Sequence, residues 1–320
     1  MPALPPDPLP FEPFLRSMPW GGERLARWLG RPAPAGTPIG EAWLVSDHPL
    51  HVSRVSAGPL AGRTLRELMA RHSAELVGRP AGRFPLLVKL LDARENLSVQ
   101  VHPDDADAAR WAPGEGGKTE AWLVLDADPG ATIYLGLKPG IDKTAFAREL
   151  NAGTVPLCLR RYEPRPGECY FVPAGTVHAL GSGLVVLEVQ QTSDATFRLD
   201  DWGRVDAEGK PRALHLEAGL ACLKEQPAGA GPQPPRPLHE GGEQLVDCPY
   251  FQLNRLAGAG TQEVRGPGIL VGLEGAAVLR SPSGAMTLPR GAAVLLPVGC
   301  KGAVEPGGHA VLAHITWNAG

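Results

Sequence analysis

Short apolar runs cut by glycine and proline dominate this chain. Four stretches, residues 23–29, 64–73, 142–151 and 213–223, carry apolar residues at helical spacing and are predicted as short helices. Most other apolar runs are too short for helices and are bounded by Gly or Pro. They are predicted as strands over residues 42–46, 86–91, 97–102, 120–125, 132–135, 169–172 and 184–190. The stretch "QPAGAGPQPPRP" at 226–237 suits neither a helix nor a central strand and is read as a linker. Beyond it, "GILVGLEGAAVL" and "GAAVLLPVG" resume the strand pattern. The expected organisation is a first domain over 1–225, the linker at 226–237 and a second β domain over 238–320.

Within the run "SVQVHPDD" the alternation has period two. Gln100 and His102 therefore share one face of a strand, Val99 and Val101 share the other, and Pro103 ends it. The acidic residues that follow read as a helix start capped by Asp104 or Asp105. In "GKTEAWLVL" Lys118 and Glu120 again stand two apart. Polar pairs at strand spacing in two separate strands raise the prospect of a shared site.

A repeat places a third element. "GECYFVPAGTVH" runs Gly167, five residues, Pro173, one residue, Gly175, two residues, His178; "GAAVLLPVGCKG" repeats the frame from Gly291 through Pro297 and Gly299 to Gly302. Each copy reads as a strand, a Pro-x-Gly turn and a second strand. The first frame resembles the second motif of the cupin barrel, so the expected fold is mainly β, a double cupin of two jelly-roll-like β-barrels with a few short helices. Only the first copy ends in histidine, so the second barrel is expected to be metal-free. Gln100, His102, Glu120 and His178 make a mixed N/O donor set suited to zinc or another borderline divalent ion with an exchangeable position.

Composition narrows the class without changing this picture. The 320 residues are 43% hydrophobic with a formal charge of −3, and no basic tract or aromatic–basic interleaving points to nucleic acid. No apolar run approaches the ~18 residues of a membrane span. The opening "MPALPPDPLPFEP" lacks the apolar core of a signal peptide, and the five scattered cysteines read as reduced thiols, so a cytoplasmic location is expected. The 40 glycines and 34 prolines favour turns and short strands. "APGEGGKT" satisfies a permissive phosphate-loop pattern, but the following "EAWLVLDAD" reads as a strand where such a loop needs a helix. Those glycines are expected to deliver Lys118 and Glu120 into a barrel. Trp43, Trp122 and Trp202 are predicted as core.

Taken together, "NLSVQVHPDD", "GKTEAWLVL", "PAGTVHAL" and "TFRLDDWGR" resemble the type I phosphomannose isomerases in their short bacterial form. "PWGGERLARWLG" and "IGEAWLVSDHP" extend the resemblance, which covers roughly residues 18–220. The resemblance implies one zinc ion per chain on Gln100, His102, Glu120 and His178, with Arg198, Lys118 and Glu188 in the catalytic cavity. It implies interconversion of mannose 6-phosphate and fructose 6-phosphate through a cis-enediol, with a small sugar phosphate as the partner. Lys118, beside a metal ligand, is expected to have its pKa depressed enough for proton transfer. The family's metal loop often carries His before the Lys; this chain has Gly117 there. Two other classes fit parts of the pattern: a metal-dependent cupin oxygenase or epimerase, and a non-catalytic sugar-binding bicupin.

Overall fold

A computed structural model describes residues 4–31, 36–205, 208–239, 241–258 and 260–317. Three large antiparallel sheets stack through it, and the chain is mainly β as expected. A seven-stranded sheet runs in the order Gly231–Gln233, Cys169–Val172, Glu120–Ala127, Leu184–Gln191, Leu86–Ala93, Phe14–Gly22, Ile39–Val45. A five-stranded sheet runs Leu159–Tyr162, Ile133–Leu137, His178–Leu180, Val99–Val101, Phe197–Asp200. These two face each other and close the first barrel over Trp20, Leu91, Trp122, Val124, Ile133 and Leu180.

The second barrel is a nine-stranded sheet built around the long strands Gly268–Ser281 and Lys301–Thr316. Its interior is filled by Leu256, Val264, Leu270, Leu279, Leu296 and Leu312, among others. The outer face of this sheet packs on the outer face of the seven-stranded one. Ala121, Leu123, Val185 and Leu187 meet Leu253, Ile269, Val271 and Ile315 in one continuous core. That layering explains why the central strands read as unbroken apolar runs. Trp122 and Val124 face the first barrel, while Ala121 and Leu123 face the second, so both faces are buried.

The repeat is a repeat of structure. Strand Cys169–Val172 and strand Ala293–Leu296 each follow a glycine of positive φ, Gly167 at 90° and Gly291 at 78°. Each then turns at Gly175 or Gly299, at 86° and 77°, into the next strand. Only glycine takes such angles without steric cost.

Two expectations about organisation are corrected. The 226–237 stretch is more than a linker: Gly231–Gln233 adds an edge strand to the first barrel against Cys169–Phe171, and Arg236–Pro237 pairs with Glu243 and Gln244 of the second. Proline is tolerated at such edges because no ladder donor is required there. The N-terminal residues do not all stay with the first barrel either, since Leu9–Phe11 pairs with Ala293–Leu295 of the second sheet.

The helices form at Arg24–Trp28, Leu65–Val77, Lys143–Asn151 and Leu216–Cys222, with a fifth at Asp105–Trp111. Asp104 caps this last one, accepting from the backbone N–H groups of Ala106 and Asp107. Thr64 and Glu67 form a capping box on the longest. Trp43 and Trp122 are buried as expected, but Trp202 is only half-buried, on a turn at φ 59°, with its indole N–H donating to Leu97. All five cysteines are free thiols.

Burial in the second barrel pushes the His314 imidazole down to about 4 from an ordinary value of 6.5. Between those values the unfolded chain binds more protons than the folded one, so stability falls as pH drops from 6.5 towards 4. The expected loss is at most roughly 3 kcal/mol. Urea titrations across that window should show a shallower acid slope for His314→Leu than for wild type. Equal slopes would remove this histidine as a cause.

Candidate active site and metal centre

Opposed rows of side chains build the site between the two sheets of the first barrel. On the five-stranded sheet His178 lies directly across from Gln100, and Gln100 across from Arg198. On the seven-stranded sheet Trp122, Glu188, Lys89 and Trp43 lie in register across four strands. Glu120, two residues before Trp122, points to the same face and is fully buried. The loop 112–119 follows the Asp105–Trp111 helix and leads into strand Glu120–Ala127, as expected; no helix follows it to hold phosphate. At Gly117 a side chain would begin 2.7 Å from the Asp105 backbone nitrogen, so this loop conformation leaves no room for one.

Lone pairs converge on one point. His102 and His178 each hold Nδ1 against a backbone carbonyl, of Ala195 at 2.8 Å and of Thr176 at 2.9 Å. Nδ1 is therefore the donor in each ring and Nε2 carries a lone pair. Those Nε2 atoms lie 3.5 Å from Glu120 Oε2 and Oε1 respectively. Lys118 Nζ stands 3.0 Å from Glu120 Oε2 and 3.1 Å from His102 Nε2, on one side of the cluster. The ligand atoms of His102, Glu120 and His178 all lie within 4.8 Å of one another. Lys118 serves only one side of this buried cluster, and two neutral imidazoles with a carboxylate make a donor set of the kind that holds a cation. These residues therefore fit a divalent ion. The Gln100 side-chain nitrogen faces His178 Nε2 at 3.3 Å, so a half-turn of the amide would be required for its oxygen to serve as a fourth ligand.

Electrostatics follow from burial and neighbours. Burial pushes Glu120 up to about 7, with Lys118 opposing. It pushes His178 down to about 4 and His102 well below the ordinary histidine range, so both rings are neutral near pH 7 and available as ligands. The expected depression of Lys118 is not observed. Burial would lower its pKa, but Glu120, Glu188 and Asp194 together raise it above the ordinary lysine value. For Glu188 burial raises the pKa, and Lys89 and Lys118 more than offset that, leaving it ionised. Glu188 accepts from the Trp122 indole at 3.0 Å and faces Lys89 Nζ at 3.3 Å.

A cavity of about 270 Å³ opens beside Lys89, Lys118 and Glu188. All three residues expected to be catalytic, Lys118, Glu188 and Arg198, line it, as does Gln100. Arg198 donates from Nη1 to the Ala213 carbonyl at 2.8 Å and keeps a buried Nε without a partner among the described residues. Nearby Asp201 is occupied by Arg204 and by both prongs of Arg212. Sequence reasoning missed Arg16, Glu41, Lys89, Asp194 and Arg212, which share the wall. Lys89 carried a readable signal, a lysine inside "LLVKLLDA", where burial requires an ionic partner.

A sequence profile for the type I phosphomannose isomerase catalytic domain matches residues 9–121. The mannose-6-phosphate isomerase ManA of Bacillus subtilis (strain 168) is 37% identical over 302 residues, 92% of this chain and 94% of its own. The chain belongs to the type I phosphomannose isomerase family. YvyI of the same organism is 43% identical over 210 residues, and that match spans 66% of either protein. The crystal structure of a mannose 6-phosphate isomerase from Bacillus subtilis superposes with a TM-score of 0.87 at 34% identity, covering 96% of this chain and 99% of the other. The likeness extends through the second barrel, so the double-barrel arrangement is a property of the family fold.

The frame that ends in His178 in the first barrel ends in Gly302 in the second. A side chain there would begin 2.9 Å from the Arg280 carbonyl oxygen and 3.0 Å from Leu279, where the interior is already filled. Metal analysis is expected to find one divalent ion per chain. A second ion, retained in a His102→Ala/His178→Ala variant, would contradict this.

Proposed function

We propose that this chain is an aldose–ketose isomerase interconverting mannose 6-phosphate and fructose 6-phosphate through a cis-enediol. We further propose that zinc is held by His102, Glu120 and His178, with Gln100 as the fourth ligand. The observation carrying the reading is the buried cluster of His102, Glu120 and His178, whose neighbours Gln100 and Lys118 line one cavity with Arg198. When bound, the ion supplies a Lewis acid that polarises the open-chain sugar's carbonyl or orients its oxygens.

The remaining roles fall to the chain's own groups. Moving a proton between C1 and C2 develops negative charge on the enediol oxygens. Arg198, with Nε unpartnered among the described residues, offers a planar fork of donors for that charge or for the phosphate. Lys118, held protonated by its carboxylate neighbours, is a proton donor and counter-charge rather than a resting base. Glu188, fixed by Trp122 and Lys89, holds Lys89 at the cavity wall and keeps the local charge balanced. Neutral walls at Trp20, Leu91 and Leu97 limit water around the reacting carbons. Five free thiols agree with a reducing, cytoplasmic setting.

A coupled assay with mannose 6-phosphate, run with and without a chelator, tests the proposal. Turnover that disappears on chelation and returns with zinc is expected. Binding of the sugar phosphate without turnover would point instead to a non-catalytic bicupin, and turnover indifferent to chelation would remove the metal from the reaction.

A further inference from the structure

The interior of the second barrel is not wholly apolar. Asn254 and His314 lie directly opposite each other on neighbouring strands, and Gln262 pairs onto the same long strand at Val304. All three line one cavity of about 540 Å³, together with Leu256, Glu263 and Arg265. Asn254 Oδ1, Gln262 Oε1 and His314 Nε2 are each shut from bulk solvent and have no hydrogen-bond donor among the described residues. The residues as wholes differ: Gln262 is buried, while Asn254 and His314 are half-buried, so only their tips are enclosed.

The chemistry of these tips is uniform. The Gln262 amide nitrogen donates to the Ala257 carbonyl at 3.1 Å, leaving its oxygen over. The backbone carbonyl of Arg265 accepts from the His314 ring, so Nε2 carries the lone pair. Three buried acceptors that lack a donor thus border one space, with the Glu263–Arg265 ion pair at its wall. A buried acceptor without a donor is destabilising, and one such group in a native barrel calls for an explanation. Three around the same cavity call for a shared one. None of the three carries charge, and the carboxylate at the cavity wall, Glu263, is paired with Arg265 at 3.1 Å, so a metal ion is poorly matched. An anion would meet lone pairs. A neutral molecule rich in hydroxyl groups meets both conditions, because each hydroxyl donates one hydrogen.

We propose that the second barrel is a binding site for a small neutral polyhydroxylated ligand, a polyol or sugar, whose hydroxyl groups donate to Asn254, Gln262 and His314. The site is separate from the metal centre and would explain why a barrel without metal ligands keeps a polar interior.

Ligand-observed NMR with mannitol, xylitol and glycerol tests this on the intact chain. Binding of at least one is expected in wild type and in His102→Ala/His178→Ala alike. Asn254→Leu and Gln262→Leu should each weaken it about tenfold or more, the effect of losing one well-placed hydrogen bond. Both variants should keep wild-type isomerase activity; Asn254→Leu should melt no lower than wild type because it deletes an uncompensated buried acceptor, whereas Gln262→Leu also removes the hydrogen bond to Ala257 and should melt slightly lower. Activity and melting also report directly whether each variant has folded, and the two variants are independent of each other. No binding of any probe at tens of millimolar would mean that the three atoms bind internal water only, and would overturn the proposal. So would binding that survives both leucine substitutions.

Discussion

The His102→Ala/His178→Ala variant is expected to purify without its divalent ion and to show no measurable isomerase turnover. Each imidazole is locked by a backbone carbonyl at its Nδ1, so Nε2 is presented without rotational freedom. Deleting both leaves Glu120 and the Gln100 amide as the remaining donors, too few to retain an ion tightly. The substitutions also remove packing against Trp122, whose ring meets His178 edge to face at 5.3 Å. The metal content is therefore measured together with the melting temperature and the far-UV spectrum. A folded variant that keeps a stoichiometric ion would show that the site lies elsewhere. Single variants are expected to bind weakly and to be rescued in part by excess zinc.

For Arg198→Lys, fold and metal content should be retained while catalysis falls by about 100-fold or more, the scale of one lost charge-stabilising donor. A lysine reaches the same region with a point charge but cannot reproduce two parallel donors. The loss falls on kcat if the fork tightens on the enediolate, and on KM if it anchors phosphate. The Ala213 carbonyl takes one prong, and Asp201 is already engaged by Arg204 and Arg212, so Arg198 is not held there chiefly as an ion-pair partner. Exposed ion pairs contribute only ~0–1 kcal/mol, so a surface role predicts constants within about threefold of wild type. Near-wild-type kinetics would remove Arg198 from the proposed chemistry.

Local pattern carried much of the candidate site because its residues sit in short motifs of strand period. Period-two spacing placed Gln100 with His102 and Lys118 with Glu120, and a Gly-x5-Pro-x-Gly frame marked the turn that delivers His178. Such signals are local: steric limits on Gly and Pro and the alternation of a pleated strand act over a few residues. Strand Cys169–Val172 begins and ends where the pattern places it for the same reason. The short strands Leu159–Tyr162 and Phe197–Asp200 are not marked by the pattern, because Arg160, Arg161 and Arg198 interrupt their apolar runs.

What the sequence by itself determined is the class of fold, the turn frames and the donor types available for a metal. What the tertiary structure alone decided is who faces whom. The rows His178–Gln100–Arg198 and Trp122–Glu188–Lys89–Trp43 join residues far apart in the chain, and only strand register makes them neighbours. Lys118 shows the consequence: a motif pairs it with Glu120, but its charge state also depends on Glu188 and Asp194, which folding alone brings close. The N-terminal strand follows the same logic, since Leu9–Phe11 finds its partner at Ala293–Leu295 near the other end of the chain. Periodicity is written residue by residue, whereas register, burial and the electrostatic field are sums over contacts that exist only once the sheets have closed.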